Sequence, residues 1–184
     1  KKKPKEVLSE IYSNLSEDLK SIKNSGFLNP KNLDKVLSYG EILSTRIISD
    51  YFSQRGKLSE PLNTTDVILT DNNFGNAYVH YQKSFDNIRN YLKSRSKLQI
   101  VTGFIGATED GETTTLGRNG SDYTASIIGA AINAKNIEIW SDFGNFESKW
   151  KSKMVQNRPR GGLGRRQGGL LSSGAVWGGK RSKD

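Results

Sequence analysis

Residues 97–134 read KLQIVTGFIGATEDGETTTLGRNGSDYTASIIGAAINA, and the order of textures in this stretch decides the fold. The run KLQIVTGFIGA is β-rich and ends among glycines, which predicts a buried strand feeding a loop. GETTTLG reads as extended. SDYTASIIGAAINA reads as a buried helix that starts at Ser121 or Asp122. Strands alternating with helices belong to an α/β domain with a mainly parallel sheet.

Working outward, KEVLSEIYSNLSEDLKSIKNSG places Val7, Leu8, Ile11, Leu15, Leu19 and Ile22 on one helical face, with Gly26 shortly after. NPKNLDKVLSYGEILSTRIISDYFSQRG continues the helical period through Leu33, Val36, Leu37, Leu43, Ile47 and Phe52 to a C-cap at Gly56. Gly40 interrupts that run just before Glu41, which a plain packing helix does not require. Short strands are expected around DVILTD and AYVHY, and a short helix over SFDNIRNYLKS with Ser84 as its N-cap. NIEIWSD, at 136–142, reads as one more short strand.

The net charge of +9 suggests a nucleic-acid partner until it is located. From Lys149 onward there are ten Lys/Arg and one acidic residue, so residues 1–148 hold 18 of each sign and are neutral. The basicity belongs to a tail. That tail, residues 157–184, carries eight of the 19 glycines and little apolar periodicity, so disorder is expected there. Its segment RPRGGLGRRQGG is similar to Arg/Gly-rich RNA-binding sequence but lacks interleaved aromatics. GAVWGGKR mimics a phosphate-binding loop, yet Arg181 stands where that motif needs Ser or Thr. The absence of cysteine excludes disulfides, thiol nucleophiles and thiolate metal sites. No apolar run approaches the ~20 residues of a membrane helix, and the cytoplasm is the default location.

Chemistry concentrates at TTTLGRNGSDYTAS, residues 113–126. A turn that opens a helix leaves unpaired N–H groups and the positive end of the helix dipole facing the loop, which favours an anion. Arg118 adds a planar fork suited to carboxylate or phosphate, and Gly117 and Gly120 allow close backbone approach to a ligand. The same residues also fit an ordinary helix start, with Ser121 or Asp122 as cap and Arg118 in water. Glu41 beside Gly40 either lines a cleft or is a solvated helical glutamate. His80, the one histidine, has no neighbouring ligand residues and reads as structural, and no metal site is expected.

The combined stretch GFIGATEDGETTTLGRNGSDYTASIIGAAINAKNIEIWSD, residues 103–142, closely resembles the aspartate kinases of the amino-acid kinase family. LSYGEILSTRIISDYFSQRG is similar to that family's upstream Gly-Glu helix. The resemblance covers about residues 5–142, and its style is most like the kinase half of bifunctional aspartokinase–homoserine dehydrogenases. It implies a three-layer αβα sandwich around a mainly parallel sheet, incomplete here, with residues 1–156 as a partial kinase domain. It also implies transfer of the ATP γ-phosphate to the β-carboxylate of L-aspartate, Mg²⁺ arriving with ATP, and a homo-oligomeric complete enzyme. By position, Arg118 would clamp a substrate carboxylate and Ser121 would add a hydrogen bond. Glu41 and Asp122 would face the substrate ammonium and organise catalysis, and Ser141 and Asp142 would lie at the nucleotide end. The other readings are a nucleic-acid-binding module using the tail, or another amino-acid kinase.

The family's first strand carries Lys-Phe-Gly-Gly-Thr-Ser, but no glycine precedes Gly26 here. After Asp142 the family continues Asp-Gly-aromatic-Thr-x-Asp-Pro-Arg, where this chain reads FGNFESKWKSK. The expectation is a catalytic-domain fragment whose tail is disordered or out of frame. Without the phosphate-clamping lysine, which carries a large share of such catalysis, the purified 184-residue chain should form no aspartyl phosphate. An aspartate- and ATP-dependent hydroxamate signal would refute this.

Overall fold

The computed structural model describes residues 4–140, 170–171 and 175–177. The chain opens with two long helices, α1 (Pro4–Ser25) and α2 (Pro30–Gln54), that pack on one another. Val7, Leu8, Ile11, Leu15 and Ile22 of α1 are half-buried, as their spacing predicts, whereas Leu19 is 48% exposed. Asp18 takes the inner position in its place, accepting from Lys35 Nζ at 2.7 Å and from the Tyr39 hydroxyl at 2.6 Å.

The start of α2 is fixed by Asn29, whose side chain accepts from the Asn32 amide, with Pro30 preset for the first turn. Its end is a Schellman turn: Lys57 N–H donates to Phe52 O and Gly56 N–H to Ser53 O, with Gly56 at φ +77°. The apolar period identifies the inner face of this helix only in part, through the half-buried Val36, Leu43 and Phe52. Its buried residues are Asp34, Ser38, Tyr39, Thr45 and Ser49, while Leu33, Leu37, Ile47 and Tyr51 are 40–52% exposed. Asp34 and Ser49 meet groups of the strands and loops, and Tyr39 bonds Asp18 of α1. Ser38 bonds Lys35 O within the helix, and Thr45 Oγ1 has no partner among the described residues. Ser59 Oγ also donates to Ser49 O at 2.7 Å.

After α2 come β1 (Ser59–Leu62), a 3₁₀ turn (Thr64–Asp66), α3 (Tyr81–Leu92) and β2 (Leu98–Val101). β1 and β2 pair in parallel, Ser59 opposite Leu98 and Leu62 opposite Val101, so α3 lies in the crossover of a β-α-β unit. β3 (Ile105–Ala107) and β4 (Thr113–Thr115) form an antiparallel pair, followed by α4 (Gly120–Ala131). α2 packs on β1, β2 and β4, and α3 packs on α4, so helices flank the strands in three layers. Leu62, Val101, Ile68, Ile88, Ile127 and Ile128 meet in a core between the sheet and α3/α4. The α/β class expected from the sequence is the one observed.

Several local expectations change. DVILTD and AYVHY contribute only isolated bridges, Leu69 to Ala107 and Thr70 to Val79. α3 begins at Tyr81, so Ser84 lies inside the helix, where its Oγ accepts from the Leu69 amide. Residues 136–140 form no strand, because no neighbouring strand pairs with them, although Ile137 packs on the core. Downstream, β5 (Leu170–Leu171) and β6 (Ala175–Trp177) extend the sheet in the order β1-β2-β6-β5, both added antiparallel. The remainder of the expected tail lies outside the described residues. No described helix is long and apolar enough to cross a membrane.

Gly40 is exposed in mid-helix, and a Cβ added there meets nothing within 4 Å. Gly40→Ala should therefore stabilise the fold by about 0.5–1 kcal/mol through reduced backbone entropy of the unfolded chain. A urea midpoint that fails to rise would show that the position resists a side chain.

Candidate functional site

The site forms where the chain leaves the C-terminal ends of β1 and β2, the edge at which open α/β sheets bind ligands. There Thr102 Oγ1 accepts from the Thr64 amide at 2.8 Å and lies 2.7 Å from Thr64 Oγ1. Thr64 Oγ1 also meets Ile105 O at 2.7 Å. This buried net ties the ends of both strands and reverses the chain at Gly103–Phe104. The Gly103 amide donates to Glu41 Oε2 at 2.9 Å, placing a carboxylate of α2 at the turn. Glu41 Oε1 has no partner among the described residues.

Phe104 sits in the left-handed region at φ 67°. Its amide donates to Thr124 Oγ1 at 3.0 Å, and its carbonyl accepts from the Leu116 amide at 2.8 Å. The start of α4 is thereby drawn against the turn. A Cβ on Gly103 would stand 2.6 Å from Ser121 Oγ, and one on Gly120 would stand 2.6 Å from Phe104 Cδ2. Gly117, at φ +72°, is pressed against Asn76 Oδ1. Gly117 and Gly120, which the sequence suggested for approach to a ligand, thus serve approach of the chain to itself.

α4 begins at Gly120, one residue earlier than expected. Its N-cap is Asn119, left-handed at φ 61°, and no side chain caps the helix. Ser121 and Asp122 lie in the first turn, and neither their amides nor their side-chain oxygens bond within the described chain, apart from carbonyl contacts. The reading in which one of them is an ordinary cap is therefore set aside. Arg118 is exposed, with no hydrogen-bond or ion-pair partner among the described residues. Burial, and then the hydroxyl pairing with Tyr81, push the Tyr123 phenol above its ordinary range, so it stays a neutral group beside Asp122.

Glu41 and Ser121 thus meet at Gly103, Asp122 follows Ser121, and Arg118 stands two residues before the helix. Ser141 and Asp142 lie outside the described residues. His80 precedes α3 as its N-cap residue without a side-chain cap bond. No group of three or more His, Cys, Asp or Glu side chains that could hold a metal gathers among the described residues. Sequence reading missed the Gly103 amide, Thr124 and Asp34. Only Asp34 carried a signal, an acidic residue two turns before Glu41 on the same helix.

Gly103→Ala should displace Ser121, because its Cβ would also stand 3.0 Å from the Ser121 Cα, a backbone atom that cannot swing away. The expected cost is about 1–3 kcal/mol, read as a lowered thermal midpoint. An unchanged midpoint would show that α4 is not held against the turn.

Residues 3–152 match the family model of the amino acid kinase family. The chain is 31% identical over 140 residues to lysine-sensitive aspartokinase 3 of Escherichia coli, covering 74% of this chain and 31% of that protein. It is 32% identical over 143 residues to a chloroplastic bifunctional aspartokinase/homoserine dehydrogenase of Arabidopsis thaliana, covering 73% of this chain and 15% of that protein. The crystal structure of E. coli aspartokinase III in complex with aspartate and ADP superposes with a TM-score of 0.71 at 29% identity, over 75% of this chain and 31% of that one. The chain spans about a third or less of the length of these relatives.

Proposed function

The chain belongs to the amino acid kinase family, and from that premise we propose that it carries the aspartate-binding half of an aspartate kinase. In the complete enzyme the γ-phosphate of ATP would pass to the β-carboxylate of L-aspartate. One observation carries this reading: Glu41 faces the same turn as Ser121 and the uncapped start of α4, beside Arg118, and among the described residues one Glu41 oxygen and the Arg118 guanidinium have no partner. A zwitterionic dicarboxylate needs this mixture of donors and acceptors.

In this reading the α-carboxylate takes the Arg118 fork, with Ser121 and the open amides of the first turn of α4. The ammonium takes the free oxygen of Glu41, with Asp122 completing its neutralisation. The β-carboxylate is left directed toward the nucleotide, whose end of the site would be held by Ser141 and Asp142. ATP supplies the phosphoryl group, and Mg²⁺ travels with its phosphates. The chain's own contribution is positioning and charge balance, which suits phosphoryl transfer. A cytoplasmic setting and a homo-oligomeric enzyme accompany the reading. The exposed apolar stripe of Leu33, Leu37, Ile47 and Tyr51 on α2 supports the second of these.

L-Aspartate titrated calorimetrically into the chain should bind saturably, and more tightly than D-aspartate. Arg118→Ala should weaken it by about tenfold or more, as loss of a bidentate charged contact does. Absent binding, or an affinity indifferent to Arg118, would remove the reading.

A further inference from the structure

We infer that Asp34 is a positioning residue for Arg118, holding the stem of the Arg118 loop at a fixed place relative to Glu41; this rests on the aspartate-site reading above. Asp34 is 1% exposed, yet no cation pairs with it among the described residues. Its carboxylate instead receives three donors. Oδ2 accepts from the amides of Gly75 and Thr115, each at 2.8 Å, and Oδ1 accepts from Thr115 Oγ1 at 2.8 Å. Burying a carboxylate is costly unless donors replace its water, and a chain could cover this face of α2 with an apolar residue. Two of the three bonds go to Thr115, the end of β4 three residues before Arg118, and the third goes to Gly75 in the 71–77 turn.

The surrounding contacts make the stem rigid. Ala77 N–H donates to Thr115 O at 2.9 Å, so the turn that Asp34 grips through Gly75 also grips Thr115 directly. The next residue of that turn, Asn76, presses its Oδ1 on Gly117, leaving no room for a Cβ there. Asp34, the 71–77 turn and the end of β4 therefore form one knot, and Arg118 is the first side chain beyond it. Glu41 lies seven residues along the same helix, on the same face, and bonds the other loop of the site at Gly103. The cation and the anion of the site are thus referred to one helix, the first through Asp34 and the second directly.

The test separates positioning from bulk stability. Asp34→Asn keeps the shape but turns an amide NH₂ toward a cluster of donors. Thr115→Val removes one donor and leaves the carboxylate. Ile88→Val, on the core face of α3 and outside the hydrogen bonds of the knot, serves as the control for lost stability. L-Aspartate affinity is measured calorimetrically for each variant well below its melting temperature, alongside amide exchange.

Asp34→Asn should weaken L-aspartate by about tenfold and Thr115→Val by about threefold, in line with lost hydrogen bonds to a charged group. Ile88→Val should leave affinity unchanged. The Gly75 and Thr115 amides should lose exchange protection in Asp34→Asn while Gly103 keeps it. A folded Asp34→Asn that binds L-aspartate like the parent overturns the inference and leaves the functional reading intact. If Asp34→Asn does not fold, unchanged affinity in Thr115→Val overturns it equally. A parent chain that binds no L-aspartate overturns both.

Discussion

One hydrogen bond, from the Gly103 amide to Glu41, decides how the long helix α2 meets the turn that leaves β2. Its strength comes from charge: an ionised acceptor makes a bond roughly twice as strong as a neutral one. Its importance comes from what α2 lacks. The fully buried residues of the helix are Asp34, Ser38, Tyr39, Thr45 and Ser49, with its apolar side chains at most half-buried, so polar contacts carry much of its seating. Apolar contact is non-directional and tolerates a small slide or rotation. Hydrogen bonds weaken steeply with misalignment and do not. The helix is therefore fixed in rotation and in register by the same groups that face the site.

The second constraint is the mutual approach of two chain reversals. Phe104 adopts a left-handed conformation, which for a bulky residue costs on the order of 1–3 kcal/mol. It persists because its amide, its carbonyl and the preceding amide are all committed, to Thr124, Leu116 and Glu41 respectively. The close contact is reciprocal: Gly103 admits Ser121, and Gly120 admits Phe104. A side chain at either glycine would pry the start of α4 away from the strand ends. The turn and the start of α4 are thus held together by the chain itself.

Much of this was legible in the sequence, and what was hidden had a physical reason. The α/β class and both long helices follow from periodicity, and Gly56 declares the end of α2. The motif 113–126 pointed to the correct helix start within a residue. Periodicity succeeded only in part on α2 because it assumes that apolar residues face inward: Val36, Leu43 and Phe52 are half-buried, but Leu33, Leu37 and Ile47 face outward. Ser84 looked like a cap because Ser is a good one, but its hydroxyl bonds Leu69 across the fold, a partner that no local rule can see. The spacing of Asp34 from Glu41 was visible but its role was hidden for the same reason, since its donors lie 41 and 81 residues away. Gly117 and Gly120 were recognised as places of close approach, but sequence could not say what approaches.

The spacing of Asp34 and Glu41 explains why a helix carries this task instead of a loop. Seven residues of α-helix span about 10.5 Å and return to nearly the same face. That distance is set by backbone hydrogen bonds and does not drift with side-chain packing. Each carboxylate grips a different chain reversal, and the Leu116 amide on Phe104 O joins the two reversals directly. The result is a closed loop of contacts running from α2 to Gly103, Phe104, Leu116 and Thr115 and back to α2. A closed loop resists shear, because one stem cannot move without breaking bonds at another. On the proposed reading, the two opposite charges would embrace a ligand only a few atoms long and would gain most from such a frame, since a displacement of about 1 Å can cost a hundredfold in rate. The polar interior of α2, which weakens it as a packing helix, is what makes it a ruler.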